Sequence, residues 1–413
     1  MLLDYQHSLF DHYHAQEKID VGGLKDFLLD YQYQGQATIH EQHNGVDYFI
    51  NEYWTAKQRQ AHSIHEISYR ACFKPQLPDF FIRHLTNVDD VVYDPFMGRG
   101  TTLIQAALQK RQAVGNDINP LSAMLVWPRF VPPSLSAITA RLLEIQKFNA
   151  FEEEALELLV FYHPDTLKEI IRLKAWFIHR QKTFEMDRVD EWIRMICINR
   201  LTGHSSGFFS VYTLPPNQAV SLARQKRINA QREQIPPYRD VYEIILKKTR
   251  TLLKDNMVAL KHHPRILTGD ARKTGGIKDN YIDLLVTSPP FLDIVDYAGD
   301  NWLRCWFAGI DLEMVHISIH KKLETWQNFI HDCFKEFYRI MKPLGHIAFE
   351  VGEVKNGKVK LEDYVLKAIE NIGFDVIGVM VNQQNFTKTA NCWGVANNKQ
   401  GTNSNRIVLL QKQ

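Results

Sequence analysis

Apolar residues recur along this chain at two spacings, and the alternation between them predicts its architecture. Short apolar runs at Val91–Tyr93, Ala113–Asp117, Arg265–Asp270, Ile282–Thr287, His346–Gly352, Asp375–Val381 and Arg406–Gln411 read as strands. Apolar positions three and four apart predict helices over Pro78–Leu85, Thr102–Lys110, Trp326–Met341 and Leu361–Ile372. Strand and helix in repeated succession is the pattern of an α/β fold. The middle of the chain breaks it. After Pro128, Pro132 and Pro133 the periodicity becomes helical over Ala137–Phe148, Phe151–Phe161, Asp165–Arg180 and Arg188–Leu201, which predicts a helical insertion. The chain therefore divides into an amino-terminal extension (1–53), a first core segment (54–133), the insertion (134–260) and a second core segment (261–413). In the extension only Gly23–Tyr31 reads as a helix, and no chemistry is evident there.

Chemistry concentrates at two strand ends. Val91–Tyr93 runs into DPFMGRGTT, residues 94 to 102, a strand, a glycine turn and a helix start. Gly98 and Gly100 permit positive φ and let a ligand approach the main chain, and amides at a helix start favour an anion. A dinucleotide fingerprint would need glycine where Leu103 stands, and no Gly-Lys-Ser/Thr follows for a phosphate loop. The next strand ends in Asp117, placed to accept hydrogen bonds from ribose hydroxyls. An adenosine ligand without phosphates fits this set, such as S-adenosylmethionine, its carboxylate and ammonium meeting the turn amides and Asp94. The second site is Thr287-Ser288-Pro289-Pro290-Phe291, where the prolines end a strand and stiffen its carboxyl end.

DPFMGRGTT, the NDIN that contains Asp117, and TSPPF together resemble the amino-methylating DNA methyltransferases, over residues 54–133 and 264–412. The resemblance implies a Rossmann-like, seven-stranded class I methyltransferase core whose last strand lies antiparallel between its neighbours. It implies S-adenosylmethionine bound by Phe73, Lys74, Asp94, Phe96, Gly98, Gly100, Thr101, Thr102, Asp117, Ile118, Asp270 and Ala271. Phe73 and Lys74 would cover the methionine end and Asp270 would lie near the adenine amine. Ser288, Pro289, Pro290 and Phe291 would form the catalytic motif holding the target amine, and serine in its first position resembles the cytosine-N4 branch more than the adenine-N6 branch. Cytosine-C5 chemistry is disfavoured, since none of the five cysteines follows a proline.

The net charge of +2 neither supports nor refutes a nucleic-acid partner, but basic residues cluster at Arg224, Lys226, Arg227, Arg232, Arg239, Lys247, Lys248, Arg250 and Lys254. Arg224, Lys226, Arg227 and Arg232 are the candidate DNA contacts, and the aromatic stretch Gly203–Pro216 could read or replace a flipped base. The extension could serve as a cap or an arm facing DNA. The expected substrate is double-stranded DNA, with a restriction endonuclease as a potential partner. Adenine N6, an RNA base amine and a non-catalytic partner subunit are the alternatives. Neither a leader nor a membrane span is evident, so the expected location is the cytoplasm. No metal is expected, and His62 and His65, three apart, read as a hydrogen-bonded or surface pair.

Overall fold

In a computed structural model the described residues are 19–54, 61–69, 72–149, 155–214, 220–256, 261–290, 297–311, 322–354, 359–383 and 404–413. Phe291, the loop acids Asp293 and Asp296, and the polar stretch 385–403 lie outside them.

Nine strands form one sheet. In chain order they are β1 (Ile39–His43), β2 (Val46–Asn51), β3 (Val91–Asp94), β4 (Gln112–Asp117), β5 (Arg265–Thr268), β6 (Ile282–Thr287), β7 (Met341–Val351), β8 (Phe374–Gln383) and β9 (Ser404–Lys412). Their spatial order is β1-β2-β8-β9-β7-β6-β3-β4-β5. β9 runs antiparallel to both β8 and β7, whereas β7, β6, β3, β4 and β5 are mutually parallel. The seven strands from β8 to β5 thus have the strand order expected of a class I methyltransferase core, with the last strand antiparallel between its neighbours. All six residues of β6 and all four of β3 are buried, as parallel strands covered on both faces require.

Two differences from the sequence reading stand out. The strands β1 and β2 extend the sheet from a region that reads as polar, because β1 is exposed along its whole length and carries no apolar alternation. Of the helix expected over Phe151–Phe161, residues 151–154 lie outside the described ones, and among the described residues a 3₁₀ segment, Leu156–Val160, stands in its place. Smaller shifts occur at ends: β5 stops at Thr268, so Asp270 sits in the following turn, and β7 begins at Met341.

Helices cover both faces. Helix α1 (Val21–Asp30) precedes the sheet; α2 (Gln76–Leu85), α3 (Thr101–Leu108) and α4 (Pro120–Val126) belong to the first core segment. The insertion holds α5 (Leu135–Gln146), α6 (Pro164–Lys182), α7 (Arg188–Arg200), α8 (Leu222–Gln231) and α9 (Val241–Leu252). The second core segment adds α10 (Tyr297–Ala308), α11 (Leu323–Ile340) and α12 (Leu361–Ala368). Trp326, Phe334 and Phe337 of α11 pack with Val91, Leu285 and Phe349 on one face of the sheet. On the other face Val92, Val286 and Ala348 share a continuous cluster with Leu103, Ile138, Leu173 and Trp192, so the insertion's apolar interior is joined to that of the core. Within the insertion, Asp190 is fully buried and receives Trp176 Nε1 at 2.9 Å and Arg180 Nε at 2.7 Å. The longest helices carry charge throughout, and no helix among the described residues is long and apolar enough to cross a membrane.

Asn382 fastens the added hairpin. This buried β8 residue pairs with Asn51 of β2, and its Oδ1 accepts from the Tyr53 and Trp54 amides at 2.8 and 3.3 Å. Replacing it with Leu strands two buried donors. Asn382→Leu is expected to lower the unfolding free energy by about 1–3 kcal/mol in urea titrations, with an unchanged midpoint as the contrary result.

Candidate active site

One cleft at the carboxyl ends of the parallel strands collects residues from both motifs. Of the sequence candidates, Phe73, Asp94, Phe96, Gly98, Thr101, Asp117, Ile118, Asp270, Ala271, Ser288, Pro289 and Pro290 line it, joined by Tyr69, Cys72, Pro95, Met97, Asn119, Gly269 and Phe329. Lys74, Gly100 and Thr102 do not line it.

The two motifs meet because β3 and β6 are adjacent, with Tyr93 opposite Leu285. Beyond that pair, Thr287 Oγ1 donates to Asp94 Oδ1 at 2.6 Å, and Thr102 Oγ1 donates to the Val286 carbonyl at 3.2 Å. Thr102 thus has a stitching place between the motifs. Gly100, at φ +71°, forms the entry to α3, and a Cβ there would lie 2.5 Å from Val126 Cγ2. Gly98, at φ +48°, passes Cys72 more loosely, its ideal Cβ 3.2 Å from the sulfur, so the positive φ is what favours glycine there.

The amides of the turn are engaged within the protein. Phe96 N–H donates to Asp94 Oδ1 at 3.1 Å, Met97 N–H to the Asn116 carbonyl at 3.0 Å, and Gly98 N–H to Asp117 Oδ2 at 2.8 Å. The expected use of these three amides as an anion cradle therefore gains no support; they orient the two acids instead. Asp117 also accepts from Asn119 N–H at 2.9 Å, which leaves further lone pairs on its carboxylate for a ligand. Burial pushes Asp94 up to about 7, against the opposing bonds from Thr287 and Phe96, and burial also raises Asp117. Asp270 differs, because Arg272 forks onto it at 3.0 and 2.6 Å and holds it below the usual carboxylate range.

Residues without a sequence-stated role complete the frame. Buried Arg99 donates to the Ile67 carbonyl at 2.8 Å and the Phe73 carbonyl at 3.1 Å, which ties the Phe73 segment to the glycine turn. Arg129, fully buried, donates to the Ile64, Leu125 and Arg99 carbonyls, and burial lowers its guanidinium to about 9. Trp326 Nε1 donates to the Pro290 carbonyl at 3.0 Å and fixes the proline pair. Arg99 stands inside the motif and was visible as a charge between glycines. The Trp326 bond had no signal beyond an apolar helix position.

The set fits an adenosyl-methionine ligand: Phe96, Ile118, Ala271 and Phe329 offer an apolar slot, Asp117 suits hydroxyls, and Asp94 suits an ammonium.

Elsewhere the candidates separate. Arg224, Lys226, Arg227 and Arg232 are all exposed on or just after α8, and the Arg232 guanidinium lies 3.8 Å from the centre of the Tyr212 ring. Lys248 belongs to a different environment, buried and 3.5 Å from Glu66, so it does not join a basic surface. Phe208 and Phe209 are buried as well, which removes them from any base-reading role; Tyr212 is the exposed aromatic of that stretch among the described residues. Trp302 packs against Phe161, with ring centres 6.2 Å apart. His65 is buried against Gln105 Oε1 at 3.0 Å, and His62 Nε2 lies 3.1 Å from the Asn256 carbonyl.

Because Asp94 titrates near 7 when folded and near 3.8 when unfolded, the unfolded chain releases its proton first, and stability should fall as pH rises from about 4 to 7. Asp94→Asn should flatten part of that slope in denaturant titrations across the range; an identical slope would contradict the assignment.

Residues 17–123 match a family described as DNA methylase, the N6/N4 group. Among curated proteins, the Type II methyltransferase M.MjaII of Methanocaldococcus jannaschii is 26% identical over 136 residues, covering 33% of this chain and 25% of the relative. The Type II methyltransferase M.MvaI of Kocuria varians is 25% identical, covering 54% of this chain and 52% of the relative. The Type II methyltransferase M.BsoBI of Geobacillus stearothermophilus is 24% identical, covering 66% and 60%. The chain thus spans between a quarter and three fifths of the length of these relatives. In sequence the chain is thus similar to DNA methylases of the N6/N4 group over residues 17–123 and to these Type II methyltransferases over part of their length.

Proposed function

We propose that this protein transfers a methyl group from S-adenosylmethionine to an exocyclic amine of a base in double-stranded DNA, with cytosine N4 the preferred target. The observation that carries the reading is that Gly98 and Ser288, far apart in sequence, line the same cleft. When bound, S-adenosylmethionine supplies an activated methyl group on a sulfonium. Asp117 would hold its ribose, Asp94 its ammonium, and Phe96, Ile118, Ala271 and Phe329 its adenine ring, near Asp270.

A base amine is a weak nucleophile, because its lone pair is delocalised into the ring. The chain's task is to accept hydrogen bonds from the NH2 as the nitrogen becomes tetrahedral. Ser288 Oγ and the Pro289 carbonyl are suited to this. The Pro290 carbonyl is already held by the Trp326 indole at 3.0 Å, so its fixed direction serves to aim its neighbour. Phe291 is assigned to stack on the base, a contact worth about 1–3 kcal/mol by alanine substitution. The amine of a paired base is out of reach, so the base is rotated out of the duplex at a cost of a few kcal/mol. Contacts of Arg224, Lys226, Arg227 and Arg232 with phosphates would offset that cost and weaken with salt. A restriction endonuclease of the same sequence specificity is the fitting partner.

Mass spectrometry of nucleosides after incubation with isotopically labelled S-adenosylmethionine and either DNA or RNA tests the reading. Labelled N4-methylcytosine in DNA is the expected product; label in RNA alone contradicts the DNA assignment, and label at adenine N6 moves the target.

Ser288→Ala and Phe291→Ala should lower kcat by about tenfold or more while leaving the calorimetric affinity for S-adenosylmethionine near wild type. Loss of cofactor binding in both would contradict the division of labour between the motifs. Trp326→Phe should lower kcat in the same manner but less.

A further inference from the structure

A row of polar side chains crosses the sheet at its carboxyl edge, on a face that is otherwise apolar. Thr287 of β6 lies opposite Phe349 of β7, so the residues that follow them, Ser288, which lines the cleft, and Glu350, which flanks it, leave neighbouring strands at the same edge of the sheet. Glu350 lies opposite Ile407 of β9, and Asn405, two residues away on the same face, donates its Nδ2 to Glu350 Oε1. Asn405 in turn pairs with Asn382 of β8. One residue earlier on these strands, Phe349 turns to the opposite face with Leu285, while two residues earlier Ala348 joins Val286, Ile407 and Met380 in the apolar cluster below the row.

Packing does not explain a carboxyl at this place. Its neighbours on that face are apolar up to the edge, and burial pushes Glu350 up to about 7, with the Asn405 bond acting against it. A neutral carboxyl offers one donor and one acceptor on adjacent oxygens. That is the complement of the edge shared by cytosine and adenine, an amine beside a ring nitrogen that carries a lone pair. The N1–H of guanine would face the donor instead.

We propose that Glu350, oriented by Asn405, reads the target base beside Ser288, donating to the ring nitrogen adjacent to the amine, N3 of cytosine or N1 of adenine. The inference rests on the functional reading above and adds a residue that selects the base. Asn405 is a positioning residue in it, since it acts through Glu350.

The test pairs an amino-acid change with the loss of one ring atom. Methylation rates of the full chain are measured on duplexes containing the wild-type recognition site, with the target base either natural or replaced by its analogue lacking that nitrogen, 3-deazacytosine or 1-deazaadenine. The wild type should lose about tenfold in kcat/KM on the analogue, the equivalent of one hydrogen bond. Glu350→Ala should lose about tenfold on the natural base and nothing further on the analogue. Glu350→Gln, whose amide offers a donor and an acceptor at the same places, should restore most of the loss. Calorimetric affinity for S-adenosylmethionine should match wild type in both variants, which separates base reading from misfolding. Losses that multiply between variant and analogue, or a Glu350→Ala enzyme as fast as wild type, overturn the inference. A wild type that methylates no base amine overturns the functional reading beneath it.

Discussion

The parallel pairing of β3 with β6 is the constraint on which the site depends. Neighbouring parallel strands end side by side, so the turn after Asp94 and the proline pair after Thr287 are delivered to one edge of the sheet. Side-chain bonds then lock the arrangement. Thr287 reaches Asp94 at 2.6 Å and Thr102 reaches the Val286 carbonyl at 3.2 Å, each across the boundary between the motifs. All these groups are buried, where a hydrogen bond is electrostatically stronger and an unmade one more costly than at the surface. A shift of either loop would forfeit both bonds, which is why the cleft is defined before any ligand arrives.

Behind the cleft two buried guanidiniums do a similar task with carbonyl partners. Arg99 gathers the Ile67 and Phe73 carbonyls, and Arg129 gathers those of Ile64, Leu125 and Arg99. Burying a cation is expensive, and the lowered Arg129 guanidinium records that cost. The return is geometric: the segment before α2, the glycine turn and the end of α4 become one rigid wall. Only a planar, forked donor can serve carbonyls from several directions in this way.

The core was legible from the sequence mainly where strands carry dense apolar runs, although β2, with Tyr48 and Phe49 buried, was missed and the more exposed β5 was found. β3, β4, β6, β7, β8 and β9 carry dense apolar runs and were placed to within a few residues. β1 left no such signal, because an edge strand exposed along its length carries side chains that face water. At the site, the glycines and prolines were readable because backbone geometry demands those residue types at those places. Arg129, Trp326 and Glu350 were not, since each acts through a partner distant in sequence, and nothing local distinguishes a buried Trp with a donor task from one that merely packs. The basic run from Arg224 to Lys254 shows the converse: charge is legible but exposure is not, and Lys248 turned inward.

The central claim is that the methyl donor and the target amine meet between Gly98 and Ser288. A crystal structure of the protein soaked with S-adenosylhomocysteine tests it most directly. The account predicts the ribose on Asp117 and the thioether sulfur facing Ser288 and Pro289 across the cleft. A ligand bound outside that cleft, or with its sulfur turned away from the proline pair, would contradict it.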